Sequence, residues 1–231
     1  MTKSTKIFFS LLCLALIGTT VFGILFKNSI REAENPDRVI EQNAEIEIAL
    51  DKEEENLYFC DDVTCSLKDL REQADLIAIV SVTDDRTLEL YSTKSQVKIE
   101  KIIEQTDSDL TAGDEIWVEE LATIVSEKNF HTEGYTLMEP GQQYLLLLQH
   151  LPCIEGYRYS KTEQMTYTPV STYFGKYCIS QNEKIQILDE EEIEQMRYKD
   201  ISDYALLTTE QEAVSHYEKL YQEVLNWKPV R

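Results

Sequence analysis

The alternation of apolar and polar positions divides the chain into segments with different periods. Ile7 to Phe26 is an uncharged run of twenty residues with no polar face. A soluble helix keeps a polar face, and twenty helical residues span about 30 Å, the thickness of the bilayer hydrocarbon core. Residues 7–26 therefore predict a transmembrane anchor, behind a cytoplasmic stub at 1–6 that carries Lys3 and Lys6. A cleaved signal peptide competes with this. Val21-Phe22-Gly23 is a passable processing site, although Ile24-Leu25-Phe26 continues the apolar run beyond it. A lipoprotein needs a small residue before its cysteine, and Leu12 precedes Cys13.

Residues 27–56 read as an acidic linker, in which Pro36 stops any helix continuing from the membrane. Within it, Glu45 to Leu50 alternates and allows a short strand or arm, and Glu53, Glu54 and Glu55 form a solvated charge run. Residues 57–189 have the period of strands. Ser66 with Asp69 caps a short helix over 67–73. Ala74 to Val82 is a β-rich run, Gln96 to Ile103 begins with one wet face, and Glu115 to Glu120 follows the Ala112-Gly113-Asp114 turn. Tyr144 to Leu148 follows Pro140-Gly141. Tyr167 to Ile179 is strand-like with a break at Gly175, and Lys184 to Leu188 closes the series. Residues 190–231 return to a helical period. Ala213, Val214, Tyr217, Leu220, Tyr221, Val224 and Leu225 share a face over 210–226, behind a capping box at Thr209 to Glu212, and Pro229 forbids continuation. That aromatic stripe is the face expected to dock on a sheet. The fold class expected is mainly β (α+β): a small antiparallel barrel with a C-terminal amphipathic helix, behind one transmembrane helix.

Charge narrows the partners. The chain holds 22 basic and 43 acidic residues, a net charge of −21. Nucleic acid is excluded as a partner, because a phosphate backbone needs clustered Lys and Arg. The charges flanking the anchor favour the short N-terminus inside. Everything beyond the anchor then lies outside, where 19 basic residues face all 43 acids. Such a surface attracts cationic partners. Besides Cys13, the cysteines are Cys60, Cys65, Cys153 and Cys178, an even number. Two disulfides in an oxidising compartment fit that count. Free buried thiols and a zinc site stay open, the latter weakened because only Cys60 and Cys65 are close together.

Five short segments occur in an order that resembles one group of proteins. They are Cys65-Ser66-Leu67, Ala74 to Val82, Gly113 to Val118, Gly141 to Leu148, and Gly175 to Ile179. The group is the small exported proteins of Gram-positive bacteria whose barrel is similar to the netrin-like, OB-type domain of tissue inhibitors of metalloproteinases. The resemblance covers about residues 60–188. It implies an OB-like barrel on the outer face of a cell membrane, with N-terminal cysteines pinned onto it. Cys60 and Cys65 would then be tied to Cys153 and Cys178, one each. Those inhibitors chelate their target's zinc through a mature N-terminal Cys-x-Cys. Here Cys60 and Cys65 are internal with four residues between them, so that mechanism is not implied.

Catalytic patterns are sparse. Ser95-Gln96-Val97-Lys98 matches S-x-x-K, but on a strand positions i and i+3 point to opposite faces. Carboxylates pair at Asp61-Asp62, Asp84-Asp85, Asp107 with Asp109, Glu119-Glu120 and Glu190 to Glu192, and a glycosidase would need two of them across a cleft. The run from Asp107 to Gly113 begins like a calcium loop, but its glycine is seventh and Val118 stands at the twelfth place. His131, His150 and His216 share no metal spacing. No cofactor and no catalytic residue is expected. The expected function is a non-enzymatic, single-pass membrane-anchored extracytoplasmic module that binds a protein or basic peptide at the cell surface. The alternatives are a cell-envelope hydrolase using a carboxylate pair, and a secreted form cleaved near Gly23.

Overall fold

The computed structural model describes residues 19, 34–51, 61–106, 109–151, 156, 158–228 and 230. The expected anchor, Thr19 apart, lies outside these residues, as do Glu53 to Glu55, Cys60, Asp107 and Cys153. Among the described residues no helix is long and apolar enough to cross a membrane. Residues from Asn35 onward form one unit. In chain order its elements are α1 (Pro36–Gln42), β1 (Glu47–Leu50), α2 (Leu67–Gln73), β2 (Leu76–Leu88), β3 (Thr93–Gln105), β4 (Glu115–Glu120), β5 (Ala122–Val125) and β6 (Asn129–Thr132). There follow β7 (Gln143–His150), α3 (Lys161–Gln164), β8 (Thr166–Pro169), β9 (Lys176–Cys178), α4 (Glu190–Gln195), α5 (Tyr198–Ile201) and α6 (Gln211–Asn226).

Five strands close a ring in the order β2-β3-β4-β8-β7 and back to β2, with β9 added beside β7. A ring of five cannot alternate direction all the way round, so one neighbouring pair must run parallel. That pair is β4 with β8, through Trp117 opposite Thr166 and Val118 opposite Tyr167. The barrel is thus antiparallel except at its narrowest seam, a correction to the all-antiparallel expectation that follows from the odd strand number. The register of β2 against β3 breaks between Val82 and Arg86. Such irregularities bend a long strand and re-aim its side chains. Here the break turns Arg86 into the interior, where it is 3% exposed.

The continuous apolar runs are strands buried on both faces. Leu76, Ala78, Val80 and Val82 of β2 and Tyr144, Leu146 and Leu148 of β7 point into the barrel, which they fill together with Val97, Ile99, Ile116, Val118 and Tyr167. The alternate residues Ile77, Ile79, Leu145 and Leu147 point outward and are covered by Leu70 and Ala74 near α2 and by Tyr217, Leu220 and Val224 of α6. The aromatic stripe therefore docks on the sheet. Tyr217 and Tyr221 donate to the carbonyls of Lys176 and Cys178 at 3.1 and 3.0 Å, which satisfies and covers the free edge of β9. Arg71 lies 4.6 Å from the Trp227 ring and also pairs with Glu104, so the two covering helices meet at their ends.

A second, three-stranded sheet has the order β1-β6-β5, with β1 parallel to β6. Its inner face, Ile48, Ala122, Ile124 and Phe130, packs with Val39, Ile193, Tyr198 and Leu207 in a third core. Residues 35–50 are consequently part of the fold and not a linker. Asn35 caps α1, and Asp37 reaches the barrel through Arg86. Two smaller expectations are also corrected. Lys184 to Leu188 forms no strand, only a bridge from Lys184 to Tyr204. The N-cap of α6 is Glu210 without a side-chain bond, while Thr208 accepts from the Glu210 N–H at 3.1 Å. The box at Ser66 and Asp69 is present as expected.

Candidate functional site

Filling of the barrel leaves the small sheet as the place where the surface is concave. Because β strands alternate faces, the residues between its inner ones look outward: Ala49 and Asp51 beside β1, His131 on β6, and Thr123 and Val125 on β5. The turn joining β2 to β3 stands beside this face, held by a 2.8 Å bond from the Thr123 hydroxyl to the Glu89 carbonyl. Its tip exposes Leu90 (71%) and Tyr91 (84%), the largest apolar exposures among the described residues. Leu90, Tyr91, Leu121, Val125, His131, Asp51 and Glu133 line a cavity of about 540 Å³. His131 Nδ1 lies 3.2 Å from the Asp51 carboxylate within it.

A second cavity of about 510 Å³ adjoins the first and shares Asp51 and Glu133 with it. Its walls are Ile48 to Asp51, Tyr173, the start of α4 at Glu190 and Ile193, and the segment 207–210. Gly134 sets the spacing of that wall. Its φ is +109°, and a Cβ there would stand 2.5 Å from both the Leu207 carbonyl oxygen and the Tyr173 ring. The two cavities form a trough, mainly apolar in the first and mixed in the second, bordered by Asp51, Glu133, Glu190 and Glu210. Both lie within the 300–1,000 Å³ range of ligand sites.

The groups with shifted acidity lie elsewhere. Arg86 bridges Glu120 at 2.9 Å and Asp37 at 2.7 Å, and donates to Ser95 at 2.9 Å. Glu120 also accepts from the Ser95 hydroxyl and from Met138 N–H, the latter at 2.6 Å. Burial pushes the Asp37 carboxyl up, against the pull of Arg86. Burial likewise raises Glu119, with Glu89 adding to it, and Glu183. Lys176 is pushed down by burial; its ammonium donates to Thr136 and lies 4.5 Å from the Tyr135 ring. Lys176 pushed down and Glu183 pushed up face each other, the opposed shifts that proton-transfer sites also show. None of Asp37, Glu119, Lys176 or Glu183 lines either of these two cavities.

Other expected residues sort by neighbourhood. Ser95 is buried with Arg86 and Glu120, whereas Lys98 is exposed on the opposite face of β3. Asp61 accepts from Ser171 Oγ and Thr172 N at 2.6 and 2.7 Å, and Asp62 accepts from Thr64 N; both anchor loops. His150 stacks on Tyr167 and His216 Nε2 lies 2.7 Å from the Cys65 carbonyl. No group of three His, Cys, Asp or Glu able to hold a metal occurs among the described residues. Cys65 is disulfide-bonded. Cys178 is a free buried thiol, which corrects the expected bridge to it. Cys178 and Tyr177 are successive on β9, so the thiol turns into the barrel core while Cys65 packs on the outer, helix-covered face. The trough itself was not foreseen. Its one sequence signal is the alternation at Glu45 to Leu50. Compared with known proteins, the chain matches no family model and no curated protein.

Proposed function

We propose that this protein is a single-pass, membrane-anchored extracytoplasmic module that binds a basic peptide or a basic protein segment at the cell surface, without catalysis. The observation that carries this reading is the trough on the small sheet, with apolar surface at Leu121, Val125 and the exposed Leu90–Tyr91 lip and a rim of Asp51, Glu133, Glu190 and Glu210. Apolar side chains with cationic ends match such a surface, and a net charge of −21 steers them to it. The barrel supports the OB-type class, because its fifth strand returns beside the third to close five strands into one ring. A filled interior leaves ligand contact to the outer surface.

The test is titration of the full-length protein with a lysine-rich peptide at rising salt. Affinity should fall steeply, since exposed charges are screened beyond about 10 Å at 0.1 M. Glu190→Gln with Glu210→Gln should lower the association rate more than it raises dissociation. Absence of binding, or binding indifferent to salt, overturns the proposal. Turnover of a cell-envelope polymer, abolished by changing one trough carboxylate, would move the protein to the hydrolases. Alkaline extraction tests the anchor: a shortened chain released from membranes would mean cleavage near Gly23.

A further inference from the structure

The second cavity runs along an open strand edge. Ile48, Ala49, Leu50 and Asp51 all line it. Consecutive strand residues face opposite sides of a sheet, so a cavity touched by four in a row lies beside the strand and not above it. Backbone directions agree. Glu47 N–H and Asp51 N–H donate to Lys128 and Thr132 carbonyls of the β6 side at 2.7 and 2.8 Å. Residues two apart share an edge, so Ile46, Ile48 and Leu50 turn the other way. Tyr198 N–H donates to the Ile46 carbonyl at 3.0 Å, and Arg197 bridges Glu47, which closes the first part of that edge. Beyond it, the parallel register with β6 turns the Ile48 carbonyl and both backbone groups of Leu50 away from that ladder and toward the cavity.

Unpaired backbone groups in a strand are a template for another strand. We propose that a lysine- or arginine-rich segment of another protein, in extended conformation, adds as a strand along the open edge of β1 and sets its cations against Asp51, Glu190 and Glu210. This deepens the binding function proposed above and rests on it. Backbone bonds at Ile48 and Leu50 fix the direction of the segment. The carboxylates flank that edge from α4 and from residue 210, and they select against acidic segments. Side chains on the inner side of the added strand face the wall that carries Tyr173.

The experiment uses the full-length protein and an alternating lysine–valine nonapeptide. In an extended peptide the lysines direct their backbone N–H groups to one edge and the valines to the other. Two derivatives are N-methylated, one at every lysine and one at every valine. Strand addition predicts that one derivative binds at least tenfold more weakly and the other stays within threefold of the parent. Loss of both, or of neither, overturns strand addition while leaving the binding function standing. No binding by the parent peptide overturns both. Leu50→Pro removes the outward N–H and leaves the ladder to β6 intact, since Pro is tolerated at an edge whose N–H faces away from the sheet. It should weaken the parent peptide at least tenfold, with Leu50→Val within twofold of the unaltered protein. If Leu50→Pro fails to fold, the pair of methylated peptides decides alone.

Discussion

Glu120→Gln probes the buried charge cluster that ties α1, β2, β3 and β4 together. Glu120 is fully buried and accepts from Arg86, Ser95 and Met138 N–H. The amide offers one acceptor oxygen where the carboxylate offers two, and its NH2 points a donor at donors. Arg86, also buried, keeps only Asp37 as a counter-charge. Breaking one side of a buried pair costs about 3–5 kcal/mol. The retained Asp37 pair places the expected loss near the lower end, about 3 kcal/mol. Against a total stability of about 5–15 kcal/mol that is a large fraction. For a unit of this size the melting temperature should fall by roughly 6–12 °C. The assay is urea denaturation of the full chain, with Arg86→Met and Glu120→Leu alone and combined. The double variant should lose less than the two single losses added together, because an apolar replacement removes both desolvated charges of the pair while the Met138 N–H loses its acceptor in either case. Glu119→Gln, next in sequence, should be nearly neutral, since burial already disfavours its charge. A loss under about 1 kcal/mol for Glu120→Gln, or additive losses in the double variant, would refute this account.

Three further expectations follow from single sites. Gly134→Ala should destabilise by about 2 kcal/mol or more, because φ is +109° and the Cβ meets the Leu207 backbone; thermal melts and peptide titration should show the trough altered with it. Cys178 should resist alkylation in the native protein and react in urea, as peptide mapping would show; ready native labelling would contradict its burial in the barrel. The Ser66 hydroxyl and backbone N–H hold the Asp69 carboxyl below its ordinary range, so its contribution is present at neutral pH and lost as pH falls through that range. Stability of Asp69→Ala should therefore lie below that of the parent at pH 7, with the gap closing on acidification; a gap constant with pH would refute the capping account.

Legibility in the sequence followed the strength of local signals. Ala74 to Val82 and Tyr144 to Leu148 were readable because strands covered on both faces become continuous apolar runs. The box at Ser66 and Asp69 and the stripe from Ala213 to Val224 announced α2 and α6 for the same reason: each is a local pattern with a local cause. The hairpin of β5 and β6 escaped. Its turn places Ser126 and Glu127 at φ of 54° and 60° without the glycine or asparagine that marks such turns. With it went the small sheet and hence the trough. The β4–β8 seam is two residue pairs joining distant segments, and no periodicity encodes it. Nothing local to Arg86 marks it as buried, because the register break that turns it inward exists only against β3.

The cover over β2 and β7 has a consequence for the order in which the molecule can be made. Ile77, Ile79, Leu145 and Leu147 are sheltered in part by α6, together with α2 and Val170, Phe174 and Tyr177. A ribosome releases those strands long before it releases Tyr217, Leu220 and Val224. A nascent chain that has already zipped its ring together therefore still shows part of that flank bare until residues 211–226 emerge. The outer flank of the barrel is completed only once α6 has been made, so a chain stopped between the end of β9 and residue 211 should expose apolar surface that the full fold covers.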